Sequence, residues 1–195
     1  MTRRILSVLA AASLATAASA APAVAHGGDG DDLGASAAKG KGAQVQVVDL
    51  DALNGSGVAG RAVLVLRGDE LRVNITARGL EAGALHPQHI HGLMGSEEAV
   101  CPPPSAADDL AGLPEEADDP DEFISLEEGA PFYGPILLPL TPFPTANKAG
   151  VTTYSQSFEV DGDLLDLSDE VIVLHGMTID GTYVATLPVA CGNIG

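Results

Sequence analysis

From Ala43 onward, apolar and polar residues alternate with a period of two, the signature of strands with one face buried. Ala43 to Leu50 reads as the first strand, and Asn54-Gly55-Ser56-Gly57 as the turn that ends it. Ala62 to Leu66 forms the second, and Arg67-Gly68-Asp69-Glu70 a hairpin turn; its Arg-Gly-Asp is read as turn chemistry, not as an adhesion signal. Leu71 to Arg78 alternates most cleanly, with Leu71, Val73, Ile75 and Ala77 on one face and Arg72, Asn74, Thr76 and Arg78 on the other. Further strands are expected at His86 to His91, Ile136 to Leu140, Thr152 to Val160, Val171 to His175 and Tyr183 to Val189. About eight short strands with turn residues between them predict an all-β domain, an antiparallel sandwich or barrel.

Before Ala43 the pattern is different. Arg3 and Arg4 precede an apolar run from Ile5 to Ala17, and both Ala18-Ser19-Ala20 and Ala23-Val24-Ala25 fit the small-x-small pattern of signal cleavage. Residues 1–25 therefore read as a signal peptide, 26–42 as a flexible arm rich in glycine, alanine and aspartate, and 43–195 as the folded domain. Within that domain a long acidic, proline-rich stretch, 92–131, is too polar for the core and is expected to be a loop. No later segment approaches the roughly 20 apolar residues of a membrane span. The chain is thus expected to be secreted or otherwise extracytoplasmic.

Charge narrows the partners. Without Arg3 and Arg4, 7 basic residues remain of 9, against 27 acidic ones, a net charge of about −20. Nucleic acid and anionic membranes need clustered cations, so neither is an expected partner; metal ions are. Cys101 and Cys191 are the only cysteines. In an oxidising compartment a bridge between them is expected over two free thiols, and closing so long a loop is worth roughly 4–5 kcal/mol.

The candidate chemistry lies in the histidines. His89 and His91 are two apart on a strand, so both imidazoles leave the same face and can converge on one ion. His175 ends an apolar strand where an aliphatic residue would be ordinary. His86 and His26 read as hydrogen-bonded or edge residues.

The run Gly79-Leu80, Gly83, His86 and His89-Ile90-His91-Gly92 resembles the strand and loop of copper/zinc superoxide dismutases that carry two copper-binding histidines. It is equally similar to the CHRD (chordin-type) domain, with its Ala-His-Ile-His-Gly segment after a Gly-Leu turn. Val173-Leu174-His175 resembles the strand with another copper histidine, Cys101 falls where the dismutases place their first disulfide cysteine, and Ala190-Cys191-Gly192-Asn193-Ile194-Gly195 is similar to their C-terminus. The resemblance implies a Greek-key barrel of eight strands, a Cys101–Cys191 disulfide, and copper bound by His89, His91 and His175. It does not carry the whole site across. No histidine lies between His91 and His175, so no zinc site of the dismutase type is expected, and Pro188 stands where the dismutases have a substrate-guiding arginine.

In the acidic stretch, Asp119, Asp121, Ile124 and Glu128 match positions of a twelve-residue calcium loop beginning at Ala117. The required first acid is Ala117 and the required glycine is Glu122, so calcium is not expected. Three functions follow from these readings: an exported metal-binding protein, most simply for copper; a structural extracellular CHRD module without metal; or a copper-only dismutase with doubtful efficiency.

Overall fold

A computed structural model describes residues 42–93, 95, 97–108 and 123–195. The expected signal peptide and arm lie outside the described residues, as does the first half of the calcium-loop template, with Asp119 and Asp121. The described residues form eight antiparallel strands: β1 (Gln44–Ala52), β2 (Ala59–Arg67), β3 (Glu70–Arg78), β4 (Gln88–Gly92), β5 (Ile136–Pro139), β6 (Thr152–Glu159), β7 (Glu170–Ile179) and β8 (Thr182–Ile194). Among the described residues the α-helix α1 (Leu126–Tyr133) precedes β5.

The strands make one curled sheet in the order β5-β4-β7-β8-β1-β2-β3-β6. Consecutive strands β1, β2 and β3 pair as a meander, whereas β4 crosses to the far side, β6 returns beside β3, and β7 crosses back beside β4. Two halves, β1-β2-β3-β6 and β5-β4-β7-β8, are joined where Asp51 and Ala52 pair with Cys191 and Ala190. The expected all-β barrel or sandwich is what forms.

Alternation decides which side chains fill it. Leu64, Leu71, Val73 and Ile75 from one half meet Ile90, Ile172 and Leu174 from the other, all essentially without solvent exposure. Asn54 and Gly55, both at positive φ, make the tight turn after β1, as Asn-Gly sequences favour. Asn54 also clamps two distant segments. Its amide donates to the carbonyls of Ile124 (3.0 Å) and Pro188 (2.9 Å) and its oxygen accepts from the Ile124 N–H (2.7 Å).

The stretch expected to be loop throughout contains α1. Ser125 and Glu128 form a capping box: the Ser125 hydroxyl accepts from the Glu128 N–H, and the Glu128 carboxylate accepts from the Ser125 N–H at 2.7 Å. Glu128, a candidate calcium-loop position, is thus a helix cap. The disulfide Cys101–Cys191 ties the start of this stretch to β8, with Cα atoms 5.7 Å apart. Among the described residues no helix is long and apolar enough to cross a membrane.

Candidate metal centre

Ile90 points into the barrel, so its neighbours His89 and His91 project from the outer face of β4. On the adjacent β7, Ile172 and Leu174 point inward and Val171, Val173 and His175 outward. Register sets His89 opposite Val173 and His91 opposite Val171, His175 follows Val173 on the same face, and the β7–β8 register shifts on either side of it. The sequence pattern therefore places all three imidazoles on one patch. Their ring centroids are 5.2 Å (His89–His175), 5.5 Å (His89–His91) and 5.9 Å (His91–His175) apart.

Nitrogens from the three rings lie within 4.8 Å of one another. Nδ1 of His91 sits 2.9 Å from the Gly134 carbonyl and Nδ1 of His175 sits 2.8 Å from that of Thr186. A carbonyl only accepts, so each Nδ1 carries the proton and each Nε2 keeps its lone pair free. Those two Nε2 atoms, with Nδ1 of His89, are buried and have no hydrogen-bond partner. Leaving three buried ring nitrogens unpaired costs roughly 1–3 kcal/mol each, a cost that an ion would remove.

Burial also keeps the rings neutral. It pushes His175 down to about 3 and His89 down to about 4; His91 discourages a charge on both, and His89 on His175. His91 is lowered by burial too, against the opposing pull of the Gly134 carbonyl. Three neutral imidazoles with free lone pairs at neutral pH are in the state a metal requires. Bonds of about 2.0–2.1 Å place ligand nitrogens about 3.4 Å apart, so the set closes somewhat around an ion. His89 is the ring free to move. It is only half-buried, and among the described residues no hydrogen bond holds it.

No known family model matches this chain, and neither does any curated protein. The site is therefore read from its own geometry. Tyr133, at the end of α1, packs its ring 4.7 Å from that of His91, and Phe143 packs 5.3 Å from His89. These aromatics and the two orienting carbonyls were not singled out from the sequence. A backbone carbonyl has no side-chain signature, but the apolar run around Tyr133 was a usable signal.

His86 does not join the cluster. Its ring nitrogens lie 3.1 Å from the carbonyls of His175 and Glu81, and whichever nitrogen carries the proton donates to the carbonyl facing it, as expected of a hydrogen-bonded residue. His26 lies outside the described residues. Pro188 is buried in β8 opposite His175, where its ring contributes neither charge nor a donor. A disulfide in the fold points to an oxidising, extracytoplasmic environment.

Proposed function

We propose that this is an exported metal-binding protein whose ion is held by His89, His91 and His175, and that the ion is copper. The observation that carries the reading is the trio of buried, unpartnered ring nitrogens, two of them aimed by hydrogen bonds at the opposite nitrogen. Such outer-shell contacts are what ligating histidines ordinarily make. An all-nitrogen set without carboxylate or thiolate suits copper and zinc, and copper(II) stands above zinc in intrinsic affinity. The dismutase and CHRD resemblance points to the same residues. A purely structural module has no use for three buried ring nitrogens left without partners on one patch, and His86 contributes none to it.

The test is elemental analysis of protein exported to an oxidising compartment, followed by copper titration by calorimetry. One copper per chain is expected, with affinity reduced at least 100-fold in His91→Ala and His175→Ala. Wild-type protein that takes up no copper or zinc, or variants that bind like wild type, would sink the proposal.

A further inference from the structure

The second feature of interest is the outer face of the half-sheet β1-β2-β3-β6. Register sets its outward side chains in rows across the four strands: Val45, Val65, Arg72 and Ser157; then Val47, Val63, Asn74 and Ser155; then Asp49, Arg61, Thr76 and Thr153. Val45 and Val47 are each 58 % exposed, and Val63 and Val65 are half-buried beside them. Four valines therefore make a square apolar block on an outer surface, next to a small polar field.

Charge sets this face apart from the rest of the chain. The three rows contain Arg61, Arg72 and one carboxylate, Asp49, which pairs with Arg61 at 2.9 Å. All the arginines beyond Arg4 (Arg61, Arg67, Arg72 and Arg78) lie on β2 and β3, whereas the chain as a whole carries 27 acidic residues. Glu70 and Glu159 are confined to the hairpin end of the face. Two copies of so acidic a chain repel one another almost everywhere else. Here they meet as near-neutral surfaces with both signs available, as a two-fold contact between identical patches needs.

We propose that two copies of this chain associate through this face, valine block against valine block, as a weak two-fold dimer. Four strands about 4.8 Å apart and about eight residues long cover roughly 500 Å² per copy, hence about 1000 Å² for the pair. That is the lower end of specific interfaces, so the dimer dissociates in the micromolar range or above. Screening the net repulsion strengthens such a contact, whereas salt weakens one built on opposite charges.

Sedimentation equilibrium of the full mature chain from about 5 µM to 1 mM, at low and at about 0.5 M salt, tests this. The expected result is a monomer–dimer equilibrium that tightens with salt by several-fold. Val47→Asp, exposed and outside the core, should weaken it at least tenfold with an unchanged circular dichroism spectrum and thermal midpoint. Protein that stays monomeric at 1 mM in high salt overturns the proposal, including the case in which the chain's own N-terminal arm covers the valines. So does association that weakens with salt and is lost in Arg72→Glu but not in Val47→Asp, because that contact would join an acidic surface to the arginines.

Discussion

The histidines at the candidate centre have a consequence for stability whether or not an ion is bound. In the unfolded chain they titrate near 6.5, whereas in the fold burial brings His89 to about 4 and His175 to about 3. Between those values the unfolded chain binds protons that the native state does not. Their stabilisation is complete above about pH 6.5 and is lost as pH falls toward 4 and then 3, with a slope of at most about 1.4 kcal/mol per pH unit for each group. Glu170 acts in the opposite direction. Burial chiefly, then repulsion from Asp169, Asp166 and Asp163, raises its carboxyl from 4.5 to about 7, against a weak hydrogen bond from the Asp169 N–H. Its contribution is complete below 4.5 and is lost as pH rises through 7. The metal-free protein should therefore gain thermal stability from pH 4.5 to about 6.5, and Glu170→Gln should steepen the rise. Melts in chelator-containing buffers measure this, and a midpoint that climbs on acidification through the same window would contradict it. Because the rings stay neutral, bound metal should resist proton competition down to about pH 5.

Helix α1 links the acidic stretch to the centre. Its C-terminal cap, Gly134, donates its N–H to the Ala130 carbonyl at 2.9 Å and offers its own carbonyl to His91. Gly134 has φ of 72°, and a β-carbon there would collide with the Gly92 carbonyl. Gly134→Ala should therefore displace the contact that fixes the His91 tautomer and reduce metal affinity about 10- to 100-fold. Ser125→Ala, at the other end of the same helix, should cost about 1 kcal/mol of stability and leave affinity nearly intact. Calorimetric titration of both variants separates the two effects, and equal affinity losses would mean that the helix as a whole, not its cap, matters. β2 and β3 were legible beforehand because their period of two is set by burial on one face, and β7 because a short, continuous, β-branched apolar run marks a strand buried on both faces. Alternation put His89 and His91 on one side, whereas His175 was legible because it ends an apolar run where an aliphatic residue would be ordinary, and from the resemblance. Helix α1 was missed because it is only eight residues long and contains Gly129 and Pro131, both poor helix formers; Ser125 and Glu128 at capping-box spacing were the available signal. The register shifts between β7 and β8 around His175 have no counterpart in the pattern of Val171-Ile172-Val173-Leu174.

At the scale of the whole molecule, charge decides what would reach an ion held at the candidate centre. Copper-loaded protein should be a poor superoxide dismutase, even though its histidines match those that the resemblance assigns to copper. Fast dismutation needs a positive approach path for the anion and a group that holds it at the ion. From Gly79 to Asn147, the segment that supplies His89, His91 and the flanking Tyr133 and Phe143, there is no lysine or arginine. The arginines of the folded domain are on β2 and β3, in the other half of the sheet, and Pro188 faces His175 from β8. Favourable steering raises association by one to three powers of ten, and here its sign is reversed. Turnover should therefore be slow, and added salt should speed it by screening the repulsion. A xanthine oxidase assay on copper-loaded wild type and His89→Ala decides the matter. Near diffusion-limited activity that disappears in His89→Ala would show that the approach path is not governed by net charge and that the chain is an efficient enzyme. Slow, salt-enhanced turnover would mark an ion-binding protein whose redox chemistry is incidental.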